Sequence, residues 1–175
     1  CTLSKFDIQS AVRRSLPIET GVTSVLDLDR CYEKMRMPVA GTTHELVAYD
    51  VHLSAYTTDG TIAEDQLKML FDDMQAELDA GNWAIAGGDM NKDLLGESGV
   101  IFGVVGDAYT WAQPIPASIV PSSFTIVAPF DEAHPVASCR NADRPYDATS
   151  FRVTVDGFIV SSNVRVVSSQ VIDTG

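Results

Sequence analysis

The chain has 175 residues, 45% of them hydrophobic, and a formal net charge of −12 at pH 7, enough length and apolar content for one domain with a full core. The acidic balance argues against charge-driven binding of nucleic acid through a basic face. It suits a site that recruits divalent cations, although ordinary solubility explains it equally well. Three cysteines without CxxC spacing indicate neither a disulfide framework nor a zinc site.

No apolar run approaches the length needed to span a membrane. The chain opens on Cys rather than Met, so we expect it to be a piece of a longer protein. The sequence does not indicate the cellular compartment of that protein. Residues 1–21 have mixed periodicity, which predicts a loop or a strand with a turn whose arginines face solvent. Residues 22–28 form a possible short strand.

The next two segments predict a hairpin. Residues 30–39 place Tyr32, Lys34 and Arg36 on one side of an extended chain, which predicts a strand with one solvated face. A Gly-Thr-Thr turn then leads to residues 44–53. The nearly continuous apolar character of this segment predicts a central strand that is buried on both faces.

A helix beginning at Thr61 is the clearest element. Thr61 and Glu64 have the spacing of a capping box, and Gly81 stands where a left-handed C-cap belongs. Apolar residues recur on one helical face: Leu67, Leu70, Phe71, Met74 and Leu78. The helix leads directly into an apolar run at 83–87, so the local unit is strand, helix, strand.

The second half is less regular. Glycines and prolines in residues 94–122 predict a long surface loop with one helical turn at most. Residues 124–127 form a possible strand, and residues 129–150 are polar and rich in turns. Residues 151–160 and 164–172 are β-branched runs separated by three polar residues, which predicts a closing hairpin.

Four polar side chains stand at strand ends or interrupt a strand. His52 ends one predicted strand, Asp89 and Asn91 follow another two positions apart, and Asp156 lies within an apolar run. In an extended chain, residues i and i+2 point to the same side. One imidazole with carboxylates and an amide suits metal-assisted hydrolysis, in which a carboxylate acts on water and the imidazole meets developing charge. Singly, each residue has an ordinary structural explanation, and Asp156 could simply bond to backbone.

Two alternative motifs are excluded because residues that they require are missing. The Asp-x-Asn-x-Asp spacing at 89–93 starts like a calcium loop, but Leu94 and Val100 stand where Gly and Glu are required. Residues 96–99 approach a nucleophile elbow, yet Val100 replaces its closing Gly.

The order of motifs resembles the endonuclease/exonuclease/phosphatase superfamily. It consists of HL at 52–53, an amphipathic helix, GGDMN at 87–91 and VDGFIVS at 155–161. These enzymes are metal-dependent phosphoesterases related to DNase I, apurinic endonucleases, inositol polyphosphate phosphatases and sphingomyelinases. The opening of the chain and its CRNADRPY segment look most like bacterial members. The resemblance implies an α/β (α+β) fold, a DNase I-like four-layered sandwich of two mixed β-sheets flanked by helices.

The resemblance also implies roles for individual residues. Asp89 would act on the nucleophilic water, as base or through a metal, and Asn91 would fix phosphate or water, so both are candidate metal ligands. His52 would hydrogen-bond the scissile phosphate, and Asp156 would orient a second histidine. The implied cofactor is a divalent metal, Mg²⁺ or else Mn²⁺.

Substrate recognition is assigned to the later loops. Arg140 and Tyr146, in the CRNADRPY segment, are the candidate substrate-binding residues. The implied partner is a phosphoester: nucleic acid, a lipid head group or a small phosphate ester. The net negative charge of the chain slightly favours a lipid head group as the substrate.

Two expected family features have no counterpart. No metal-binding Glu in a Gln-Glu-like context precedes His52, and no Ser-Asp-His follows residue 161. We therefore expect residues 1–175 to be one incomplete catalytic domain that is inactive by itself and self-associates through exposed sheet edges. The alternative is a member of the superfamily that has lost catalysis and serves as a binding or scaffold module.

Overall fold

The computed structural model describes residues 2–18, 28–55, 60–104, 112–142 and 144–172. Its helices are α1 (Thr61–Asp79) and α2 (Ser98–Ile101), with a short 3₁₀ turn at Ala117–Ile119. Its strands are β1 (Ser10–Ser15), β2 (Cys31–Pro38), β3 (Glu45–His52), β4 (Trp83–Asp89), β5 (Phe124–Val127), β6 (Cys139–Arg140), β7 (Arg152–Val153) and β8 (Asp156–Ser161). In this described part, no helix is long and apolar enough to cross a membrane.

A mixed six-stranded sheet forms the body of the fold. Its strand order is β1-β2-β3-β4-β8-β5, and β3 and β4 run parallel while the other neighbouring pairs are antiparallel. Parallel neighbours need a crossover connection, which α1 supplies. The apolar face of α1 packs on the sheet and forms the main core with residues from β2, β3, β4, β5 and β8. The predicted strand–helix–strand unit is therefore confirmed.

The two ends of α1 differ in how well the sequence predicted them. The capping box is wrong, because the N-cap residue is Gly60 and it makes no side-chain capping bond. The Glu64 carboxylate instead lies 3.1 Å from the Lys92 ammonium nitrogen. The C-terminal prediction is confirmed: Gly81 has a φ of +86°, and its N–H bonds to the Leu78 carbonyl, as in a Schellman motif.

The alternation along β2 predicts one solvated face without showing which side it is, and the side of Tyr32 and Lys34 is not that face. Both residues are buried. The reason is the facing side of α1, where Lys34 forms ion pairs with Asp73 and with Glu77, and the Tyr32 hydroxyl donates to Asp73 at 2.5 Å. Arg36, further along the same face, also pairs with Glu77. A charged side chain is tolerated there because it is paired with carboxylates of opposite charge.

The central position of β3 is confirmed, but its burial on both faces is not. Val47, Tyr49 and Val51 are buried against the helix side, whereas the residues between them are only half-buried. The strand therefore has one fully covered face. A central place in a sheet fixes the hydrogen-bonded edges of a strand but leaves each face to be covered separately.

The predicted C-terminal hairpin is wrong. Residues 164–172 form no strand, and most of them are exposed. The preceding strand, β8, already pairs with β4 on one edge and with β5 on the other. A strand has two edges, so no backbone groups of β8 remain for a hairpin partner.

A second, smaller cluster lies beyond the main core. Strands β6 and β7 pair there as a two-stranded sheet, and Phe102, Val104, Phe151, Val153 and Val155 pack around it. The helical turn predicted within 94–122 is α2, and the strand predicted at 124–127 is β5. The strand predicted at 22–28 falls almost wholly outside the described residues.

Candidate active site

Three predicted catalytic residues stand side by side at one end of the main sheet. In the parallel register of β3 and β4, His52 is the partner of Asp89. In the antiparallel register of β4 and β8, Asp89 is also the partner of Asp156. The three side chains thus come from neighbouring strands at one level, and the His52 Nε2 lies 3.6 Å from the Asp89 Oδ2.

The environment of Asp89 disfavours its ionised form. Burial and the negative charge of Asp156 raise the pKa of the Asp89 carboxyl above its ordinary value, against the opposing effects of the Asn91 N–H, His52 and Arg30. Only 30% of the Asp89 side chain is exposed, compared with 58% of the His52 side chain. A carboxylate with a raised pKa accepts a proton more readily, as a general base must.

Asn91 belongs to the turn that shapes this end of the site. Its backbone N–H donates to the Asp89 Oδ1 at 2.8 Å, and its φ of +47° is in the left-handed region, which Asn tolerates better than most residues. Its side-chain amide nitrogen donates to the Leu53 carbonyl at 2.7 Å. The Leu53 N–H in turn donates to the Asp89 carbonyl at 2.9 Å. The turn after β4 is therefore tied to the end of β3, which fixes Asp89 relative to His52.

Asp156 differs from its expected setting. The sequence placed its carboxylate inside an apolar strand, but Asp156 begins β8 and is exposed. Its backbone N–H and that of Val155 both donate to the Ser138 Oγ, at 3.1 and 3.0 Å. The carboxylate thus avoids the cost of burial and faces the end of the sheet where Asp89 lies.

The predicted metal ligands satisfy only part of a cation site. Among the described residues, no group of three His, Cys, Asp or Glu side chains is arranged to hold a metal ion. Mg²⁺ commonly takes one or two protein carboxylates together with water and substrate phosphate oxygens, so Asp89 fits as one ligand. The Asn91 amide nitrogen donates to the Leu53 carbonyl, and a cation would be bound through the other atom of that amide, its oxygen.

The two predicted substrate-binding residues lie together, next to this site. The Arg140 guanidinium carbon lies 5.3 Å from the centre of the Tyr146 ring, a cation–π contact. Both residues line a cleft of about 630 Å³ with Cys139, Arg152 and Ser138. Burial, followed by the charges of Asp89 and Asp156, raises the pKa of the Cys139 thiol, which places the cleft close to the carboxylates.

Comparison with solved structures identifies the architecture. A structure of ANGEL2, described as a 2′,3′-cyclic phosphatase, matches with a TM-score of 0.54 and 16% identity over 91% of this chain and 56% of its own. Truncated Caenorhabditis elegans TDP2 matches with a TM-score of 0.51 and 12% identity over 91% of this chain and 54% of its own. The chain has the DNase I-like fold. This confirms the fold expected for the endonuclease/exonuclease/phosphatase superfamily.

The likeness has defined limits. This chain spans about half the length of the solved structures that it matches. No protein-family model matches the sequence, and no curated protein sequence matches it. At identities this low, the shared feature is the DNase I-like fold, and the roles of His52, Asp89, Asn91 and Asp156 remain predictions.

Two residues that support the site were missed by the sequence reasoning. Lys92 is fully buried, and its ion pair with Glu64 joins the turn after β4 to the first turn of α1. Asp93 accepts hydrogen bonds from the backbone N–H groups of Leu95, Gly96 and Ser98, so its carboxylate organises the next loop. Charged residues that directly follow the GGDMN segment were the available signal, but only their burial reveals these roles.

Proposed function

We propose that this chain is part of a hydrolase that cleaves a phosphoester bond with an activated water molecule. The observation that carries the proposal is the alignment of His52, Asp89 and Asp156 on three neighbouring strands of a DNase I-like fold. This places an imidazole and two carboxylates around one point at the end of the sheet, where α/β folds often hold their substrates. The arrangement supports proton transfer and charge stabilisation at phosphorus.

Each side chain has a role that follows from its surroundings. Asp89 accepts a proton from the attacking water, since its raised pKa improves its strength as a base. The exposed His52 imidazole donates a hydrogen bond to a phosphate oxygen as negative charge develops there. Asn91 stabilises the turn that follows Asp89. The negative charge of Asp156 helps to keep the pKa of the Asp89 carboxyl raised. A divalent cation, Mg²⁺ or Mn²⁺, would supply neutralisation of the phosphate charge. If Asp89 were its ligand, that role would replace the role of free base, because a bound cation lowers the pKa of a carboxyl group.

The structural neighbours support the reaction class without fixing the substrate. ANGEL2 is described as a 2′,3′-cyclic phosphatase and was solved with adenosine-2′,3′-vanadate. Because fold similarity alone does not transfer function, we propose only that the substrate is a phosphoester. Nucleic acid, a lipid head group and a small phosphate ester all meet that description. We also retain the proposal that residues 1–175 form one incomplete domain.

A binding or scaffold module is the second candidate. It is favoured by the partial set of metal ligands among the described residues. A module that only binds would keep the fold and the exposed His52, but would gain nothing from the raised pKa of Asp89.

The test is hydrolysis by the natural gene product that contains this sequence, purified without metal. A generic phosphodiester, a phosphomonoester and a lipid phosphoester are each assayed with Mg²⁺, with Mn²⁺ and without added metal. We expect metal-dependent turnover that falls at least about a hundredfold in Asp89→Asn, since a general base contributes ~10²–10⁴ in rate. Glu132→Gln, an exposed carboxylate in the loop before β6, is the matched control.

The outcomes separate the two candidates. Turnover that survives Asp89→Asn would show that Asp89 is not the base. Absence of turnover on all three substrates by a folded protein would favour the binding module. The 175 residues alone are assayed in parallel, and we expect them to be inactive or nearly so.

A further inference from the structure

The cleft beside the candidate active site carries an unusual concentration of positive charge. The chain has 12 basic and 24 acidic residues, and lysines elsewhere, such as Lys34 and Lys92, pair with carboxylates. The described residues that line the cleft include two arginines and no carboxylate. Within the described part of the chain, neither Arg140 nor Arg152 has a carboxylate at ion-pair distance.

The two arginines stand directly opposite each other. In the antiparallel pair of β6 and β7, Arg140 is the register partner of Arg152, so both side chains lie on one face of this small sheet. Like charges in directly opposed positions destabilise a strand pair. An anion between the two guanidinium groups would turn this repulsion into attraction.

Both guanidinium groups are held in place and keep donors available. Arg140 stacks on Tyr146 and donates from Nη1 to the Asn141 carbonyl. Arg152 lies over the Phe102 ring and donates from Nη2 to the Phe102 carbonyl at 2.8 Å. Its Nε is buried and has no hydrogen-bond partner among the described residues. Planar guanidinium groups fixed in this way match phosphate and carboxylate oxygens in a bidentate manner.

The cleft is next to the candidate active site but is not the same place. Its lining includes Ser138 and Cys139, and the Ser138 Oγ accepts the backbone N–H of Asp156 at 3.1 Å. None of the four predicted catalytic residues lines it. Its volume of about 630 Å³ falls within the ~300–1,000 Å³ of small-molecule sites.

We infer that this cleft binds a second anionic group of the substrate, next to the phosphoester that is cleaved. The inference rests on the proposed function for the identity of the cleaved group. The preferred substrate is accordingly a phosphoester that carries another phosphate or a carboxylate a short distance away. A neighbouring phosphate of an oligonucleotide and the second phosphate of a small bisphosphate both have this chemistry.

Binding is measured by calorimetry on the natural gene product that contains this sequence, in metal-free buffer at low ionic strength, so that turnover plays no part. The probes are pyrophosphate, a short thymidine oligonucleotide and fructose 1,6-bisphosphate. We expect Arg140→Gln to weaken binding about tenfold or more, as loss of one charge-assisted contact does. Arg140→Lys should recover only part of the affinity, because it restores the charge without the planar fork.

The matched control is Arg165→Gln. This exposed arginine follows the opposite end of β8 from Asp156, so its loss changes the net charge equally without touching the cleft. Binding that is unchanged by Arg140→Gln, or weakened equally by Arg165→Gln, would overturn the inference. If binding depends on Arg140, the inference is supported. Whichever of the oligonucleotide and the bisphosphate then binds more tightly identifies the kind of molecule that supplies the anion.

Failure of this inference is distinguishable from failure of the proposed function. Turnover that depends on Asp89, with binding indifferent to Arg140, would leave the hydrolase and remove the cleft from substrate recognition. Binding that depends on Arg140, without turnover by the natural gene product, would retain the cleft as an anion site of a non-catalytic module.

Discussion

Gly88→Ala tests whether the candidate site depends on close approach of two strands. Gly88 is the register partner of Val51 in the parallel pair of β3 and β4, one position before His52 and Asp89. Its φ is +142°, and a Cβ added to it would lie 2.0 Å from the Val51 carbonyl oxygen. Alanine therefore cannot occupy this position unless the two strands move apart.

The cost has two parts. Forcing a side chain into this backbone conformation costs about 1–3 kcal/mol. Separating the strands weakens neighbouring ladder hydrogen bonds at about 1 kcal/mol each, and loss of two gives a total of roughly 3–5 kcal/mol. For a chain of this size, each kcal/mol corresponds to about 2–4 °C, so the midpoint of thermal unfolding should fall by roughly 6–20 °C.

Gly96→Ala is the matched control, measured by circular dichroism under the same conditions. Gly96 also has a positive φ, +80°, but a Cβ there meets nothing within 4 Å. It should therefore show only the conformational cost, about 1–2 kcal/mol and a few degrees. Equal losses in the two variants would refute the argument that close approach at Val51, rather than backbone conformation, makes Gly88 necessary.

Two further predictions concern pH. Because burial and Asp156 raise the pKa of Asp89, its ionisation destabilises the fold as pH rises above the unfolded value of ~3.9. Asp89→Asn should therefore unfold at a higher temperature than wild type at pH 7, and this gain should vanish below about pH 4; a lower midpoint at pH 7 would contradict it. Burial alone would raise the pKa of Asp73 and Glu77, but hydrogen bonds headed by that of Lys34 hold both below their usual values. This stabilisation is fully present at pH values above their unfolded pKa values of ~4 and is lost as pH falls further. The Asp73→Asn variant should therefore lose less free energy of unfolding on acidification than wild type does, as measured by denaturant titration.

The sequence predicted the local units of the fold well. The strand–helix–strand unit around α1 follows from apolar spacing and from Gly81, which are local signals. The GGDMN segment placed Asp89 and Asn91 at the end of β4 for the same reason. The sequence did not reveal that Lys34 is buried, because alternation along β2 shows that two faces differ without showing which one meets the helix.

What only the tertiary structure decided is the pairing of distant strands. β8 lies between β4 and β5, which brings Asp156 beside Asp89 and leaves no edge for the predicted closing hairpin. The opposition of Arg140 and Arg152 across β6 and β7 is likewise set by pairing between segments that are polar and irregular in sequence. Local patterns determine which residues form a strand, but the choice of neighbour depends on how the whole sheet buries its apolar face, and no single segment carries that information.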